Sequence, residues 1–120
     1  MTFELTVLGS SSALPTKNRF PTAHVLNVHE RFFLIDCGEG TQIQLRRTGK
    51  IKLSRLNHIF ISHLHGDHVF GLYGLISTFN LLGRTADLHI YAYGQLDLIL
   101  KDHLKYFGDD MRDKIIVHPV

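Results

Sequence analysis

Seven consecutive residues, Ser62-His63-Leu64-His65-Gly66-Asp67-His68, constrain this chain more than any other stretch. They close an apolar run (residues 56–62, with Ile59, Phe60 and Ile61) whose pattern predicts a buried strand. They open a stretch from residue 67 to about 82 in which Phe70, Tyr73, Leu75 and Phe79 give it helical character. A buried strand anchors the backbone at its end, so the side chains that follow it can be held in fixed geometry. His63 and His65, two apart, project to the same side while the extended conformation lasts. Gly66 is expected to permit a turn that a β-carbon would resist, folding Asp67 and His68 back toward the same space. Three imidazoles and a carboxylate converging on one point suit zinc, which takes neutral imidazole and carboxylate oxygen at ~2.0–2.2 Å. A plain loop entering a helix would account for Asp67 as a cap, but not for the three histidines around it.

The rest of the chain alternates strands with helices. Phe3, Leu5 and Val7 alternate with Glu4, Thr6 and Leu8 as a half-buried first strand, ended by Gly9 and a Ser/Pro loop. Residues 24–28 and 32–35 are short apolar runs separated by His29, Glu30 and Arg31, which predicts a hairpin. Asp36-Cys37-Gly38-Glu39-Gly40 then breaks the sheet, residues 41–48 are helical, and Gly49 stands where a left-handed residue would stop that helix. Residues 88–91 and 115–118 are further strands, with a helix over 95–106 between them. Strands alternating with helices predict an α/β layered fold.

Composition excludes more than it proves. With 120 residues there is room for one domain, and 44% hydrophobic with 20% charged residues is ordinary for a globular protein. A formal charge of +2 tolerates an anionic partner without identifying one. No stretch approaches the ~20 apolar residues of a membrane span, and no secretory signal is visible at the N-terminus. Cys37 stands alone, so a reducing, cytoplasmic setting is expected. The chain stops two residues after His118, with the look of a cut rather than a finished end.

His-x-His-x-Asp-His after a buried strand resembles the hallmark of the metallo-β-lactamase fold hydrolases. Within them, three stretches resemble the ribonuclease Z family. These are Leu8-Gly9-Ser10-Ser11-Ser12-Ala13-Leu14-Pro15 with Lys17-Asn18-Arg19, then Phe33-Leu34-Ile35-Asp36-Cys37-Gly38-Glu39-Gly40-Thr41-Gln42, then residues 59–68 continuing into Gly71-Leu72-Tyr73-Gly74-Leu75. Tyr73 departs from the pattern, standing where many members have proline.

The resemblance implies an αββα sandwich of which residues 1–120 are roughly the amino-terminal half. It implies two zinc ions, one held by His63 and His65, the other by Asp67 and His68, with Asp67 also the proton acceptor for the attacking water. It makes Asp36 a residue that orients ligands, although a turn carboxylate bonding the amides near Gly38 remains an equal reading. The implied reaction is removal of the 3′ trailer from precursor tRNA, in a homodimer. Cys37 is expected in the core, because the family's sites use nitrogen and oxygen. His24, His29, His58, His89 and His103 are expected to be scattered singly and structural or exposed, and His118 is not expected to bind metal. Lys17, Arg19, Arg46, Arg47, Lys50, Lys52 and Arg55 suit phosphate contacts, although such charge runs are more often solvated faces.

The family's remaining ligands, its leaving-group histidine and its tRNA-gripping arm belong to a second half whose motifs are missing from these residues. The isolated chain is therefore expected to be an incomplete enzyme with one sheet face uncovered, and to self-associate. Two other readings stay open: a metallo-β-lactamase-fold hydrolase of a lactone, thioester or small phosphodiester, or a non-catalytic zinc-binding or dimerising module.

Overall fold

The alternating strands and helices form one six-stranded sheet with its helices on one side; the computed structural model describes residues 2–10, 20–107 and 110–120. Strands β1 (Phe3–Gly9), β2 (Ala23–Val28), β3 (Arg31–Ile35), β4 (Leu56–Phe60), β5 (Leu88–Ala92) and β6 (Ile115–Pro119) lie across the sheet in chain order. The β1–β2 and β2–β3 pairs are antiparallel, and every later pair is parallel. The β2–β3 hairpin closes through His29 and Glu30, both at positive φ (53° and 67°), as a type I′ turn requires. The Asn27 side-chain oxygen steadies that turn by accepting the Glu30 N–H at 2.8 Å. Parallel neighbours need a crossover. These are supplied by α1 (Thr41–Thr48), by α2 (Gly66–Val69) with α3 (Gly71–Leu81), and by α4 (Gln95–Phe107). Gly49 ends α1 at φ 66°, as its position predicts.

The helix expected from residue 67 to about 82 is in fact two. The Gly71 N–H leaves the helical ladder and donates to the Cys37 carbonyl at 3.0 Å, so the chain is re-aimed at Phe70. Gly66 does not adopt the positive φ that glycine alone tolerates easily, and the nearest atoms a β-carbon there would meet belong to the exposed Phe70 ring, which can move aside.

The covered face of the sheet carries the core. Leu45 of α1, Leu72, Leu75, Ile76 and Phe79 of α3, and Leu96, Leu100 and Leu104 of α4 pack in one cluster with Val25, Leu34, Ile59 and Ile90. Cys37 is fully buried in it, as expected. The opposite face corrects the reading of β1: Phe3, Leu5 and Val7 are exposed. Cross-strand register puts them on one face with Leu26, Val28, Phe33, Ile35, Phe60 and Tyr91, and no helix among the described residues covers that face. The uncovered apolar surface expected of half a sandwich is present.

The same register corrects the view of the histidines as scattered. His58, His89 and His118 occupy β4, β5 and β6 on the uncovered face. The His58 and His89 rings stack at 5.3 Å, His89 and His118 at 5.1 Å. The His89 Nδ1 and His118 Nε2 atoms are 2.9 Å apart, a hydrogen bond between imidazoles. These histidines are far apart in sequence, so no local pattern could reveal the row.

Candidate metal centre

The site lies where β3 and β4 end side by side. The Asp36 N–H donates to the Phe60 carbonyl at 2.7 Å, and the Cys37 N–H to the His68 carbonyl at 2.8 Å. These bonds lay the 36–38 strap directly on the start of α2 and α3. The approach is so close that a β-carbon at Gly71 would collide with the Gly38 carbonyl. Glycine is required there by space rather than by φ.

Asp36 adopts φ 61°, which is uncommon for a residue with a β-carbon although aspartate tolerates it better than most. Its carboxylate is buried and points across to the neighbouring strand end. Oδ1 accepts the Ser62 N–H at 2.8 Å, the Ser62 hydroxyl lies 3.0 Å from Oδ1 and 2.9 Å from Oδ2, and His68 Nδ1 lies 3.0 Å from Oδ2. The turn-carboxylate reading of Asp36 gives way here: the Gly38 N–H donates instead to the Thr22 carbonyl at 3.1 Å. Ser62 is the residue that the sequence reading missed. Its position immediately before His63 was the available signal.

The four candidate ligands are brought together, but not onto one point. His63 and His65 stack at 5.8 Å between ring centroids, and His63 lies 4.9 Å from His68. Asp67 Oδ2 and His68 Nε2 are 3.4 Å apart. Among the described residues no group of three or more His, Cys, Asp or Glu side chains is placed to hold a metal ion, so the arrangement is of pairs. His63 and His65 are exposed, Asp67 and His68 half-buried. Asp67 and His65 border a cavity of about 380 Å³ whose wall also includes Glu39, Pro21 and Phe70.

The donor chemistry fits zinc as an incomplete set. With His68 Nδ1 against the Asp36 carboxylate, Nε2 is the ring atom that faces Asp67 Oδ2. Two donors at ~2.1 Å from a tetrahedral ion lie roughly 3.4 Å apart, which matches the separation of these two atoms. Cys37 is unsuited to such a role, because burial pushes its thiol up to about 12. The basic residues are dispersed. Arg46 and Arg47 end α1 exposed, and Lys50 reaches Glu4 at 3.7 Å. Lys17 and Arg19, with residues 11–15 of the opening loop, lie outside the described residues.

This architecture is that of the metallo-β-lactamase fold. The chain matches the metallo-β-lactamase fold protein YhfI from Bacillus subtilis with a TM-score of 0.76 at 20% identity, over 100% of this chain and 46% of that one. It belongs to the family described as Anti-Pycsar protein Apyc1, whose model matches residues 3–113. It is also similar to the Ribonuclease Z of Bacteroides thetaiotaomicron, at 58% identity over 116 residues that make up 97% of this chain and 36% of that protein. Human tRNase Z, short form, matches with a TM-score of 0.87 at 36% identity, over 96% of this chain and 43% of that one. The resemblance to the amino-terminal part of ribonuclease Z therefore holds, and the chain spans well under half the length of the curated relatives it matches. No helix among the described residues is long and apolar enough to cross a membrane.

Proposed function

We propose that this chain is the amino-terminal half of a zinc-dependent phosphodiesterase of the ribonuclease Z type, a homodimeric cytoplasmic enzyme that removes the 3′ trailer from precursor tRNA. The observation that carries this reading is the pair formed by Asp67 Oδ2 and His68 Nε2 at 3.4 Å, steadied from behind by Asp36. Support comes from the 58% identity to a protein named Ribonuclease Z. In this reading His63 and His65 hold one ion, Asp67 and His68 a second, and residues of the other half complete both. Two zinc ions would supply neutralisation of the charge that builds on an in-line phosphoryl transition state. Asp67, beside the cavity, orients the attacking water and takes its proton, and Asp36 holds the His68 ring against rotation.

The test is a chimaera in which this chain replaces the 116 residues it matches in the Bacteroides thetaiotaomicron relative. It should cut precursor tRNA and leave a 3′-hydroxyl, whereas the 120-residue chain alone should not. Asp67→Asn in the chimaera should keep more zinc than Asp67→Ala yet lose about 10²–10⁴-fold in single-turnover rate. Cleavage of Asp67→Asn at the unsubstituted rate would remove the base role from Asp67. An inactive chimaera with full zinc would point to the small-phosphodiester reading instead.

A further inference from the structure

The atoms around Ser62 leave little freedom in where the protons sit. An ionised carboxylate accepts hydrogen bonds and donates none. The Ser62 hydroxyl, 2.9 and 3.0 Å from the two Asp36 oxygens, must therefore be the donor in that contact. A hydroxyl carries a single proton, and Asp36 has taken it. His63 Nδ1 lies 3.0 Å from the same Oγ, so the only favourable arrangement is that Nδ1 bears a hydrogen and Ser62 accepts it. His68 follows the same logic one step earlier: its Nδ1, 3.0 Å from Asp36 Oδ2, donates to the carboxylate directly.

We propose that Ser62 is a positioning residue that, relaying the Asp36 carboxylate, locks His63 in its Nδ1–H tautomer and leaves Nε2 as the bare donor. One buried carboxylate then sets the tautomer of two imidazoles, His68 by direct contact and His63 through the serine. The tautomer assignment stands on these distances alone; its purpose, presenting Nε2 to an ion, rests on the metal reading above. Ser62 is fitted to this task because its backbone N–H is also held by Asp36 Oδ1 at 2.8 Å.

Long-range ¹H–¹⁵N correlation of the metal-free, ¹⁵N-histidine-labelled 120-residue chain at pH 7.5 reads the tautomer directly. Unsubstituted His63 and His68 should both appear as Nδ1–H. In Ser62→Ala, His63 should shift toward exchanging tautomers while His68 stays as it was. Ser62→Thr, which restores a hydroxyl, should bring His63 back. Finding His63 as Nε2–H in the unsubstituted chain, or unchanged in Ser62→Ala, overturns the proposal. A zinc titration of the same samples separates it from the metal reading. If zinc binds, Ser62→Ala should weaken it roughly tenfold or more, as loss of an outer hydrogen-bond partner does, and Ser62→Thr should not. Correct tautomers with no zinc binding in any variant support the positioning role and leave the metal reading where it stands, because these donors are an incomplete set in this chain.

Discussion

The uncovered sheet face sets a size for the chain's tendency to associate. Phe3, Leu5, Val7, Ile35, Phe60 and Ile116 lie on it, each between 36% and 75% exposed. Full burial of such a side chain is worth about 1.5–3 kcal/mol, so removing the half that remains exposed gives roughly 1 kcal/mol each, or about 6 kcal/mol per copy. Two copies meeting face to face would gain about 12 kcal/mol, and fixing two bodies relative to one another costs at least ~4 kcal/mol. The remainder, about 8 kcal/mol, corresponds to a dissociation constant of about 1 μM. Leu5→Lys with Phe60→Lys should remove about 4 kcal/mol of that gain from the two copies together, a roughly thousandfold weakening. Sedimentation velocity between about 1 and 100 μM covers both regimes. The control is Leu98→Lys on the exposed side of α4, which should leave association unchanged. A cleanly monomeric unsubstituted chain across that range, or a double-lysine variant that associates as well as its parent, would refute the reasoning.

Two further outcomes follow from particular side chains. Arg84 places its guanidinium donors on the carbonyls of Leu53, Leu56, Ala86 and Asp87 and on Asn57 Oδ1, while lying 4.7 Å from the Phe79 ring centre. Arg84→Met should therefore cost about 2–3 kcal/mol in urea unfolding, and Arg84→Lys most of the same because it lacks the planar fork; a midpoint unchanged in both would show the carbonyls to be satisfied without it. Desolvation first, then the charges of His89, Arg31 and His118, hold His58 below the ordinary imidazole value of 6.5, and the Tyr91 hydroxyl lies 3.5 Å from its Nδ1. The unfolded chain thus takes up the proton first as pH falls, so this contribution is complete above about pH 6.5 and is lost as pH drops from there through the folded value. Unfolding midpoints at pH 7.5 and 5 should show the loss and His58→Gln should lessen it, whereas an NMR titration placing His58 at or above 6.5 would overturn the sign.

Local patterns carried most of the fold. The spacing of apolar residues located all six strands, and Gly49 marked the end of α1 where it is observed. What failed depended on partners distant in sequence. The break at Phe70 comes from a bond to Cys37, more than thirty positions earlier, and Ser62 acquires its role from Asp36, 26 positions away. Nothing near Phe70 announces its contact, and near Ser62 the one signal is its place immediately before His63. The histidine row is the same case: three residues on three strands become neighbours only through register.

The misreading of β1 has a different cause. Alternation tells which residues share a face, but not what lies over that face. The central strands did contain the missing information. Phe32-Phe33-Leu34-Ile35 and Ile59-Phe60-Ile61 are apolar at successive positions, the pattern of strands meant to be buried on both sides. Only one of those sides meets helices here, with Leu34 and Ile59 in the core while Ile35 and Phe60 are exposed on the other. Apolar runs of this kind ask for a second layer, and the matched relatives, each more than twice as long as this chain, have the length to provide one. The proposed ligands lead to the same place: Asp67 Oδ2 and His68 Nε2 lie 3.4 Å apart, and among the described residues no third donor is placed to complete a site with them. A covering layer carrying donors to the strand ends would satisfy the sheet and the site at once.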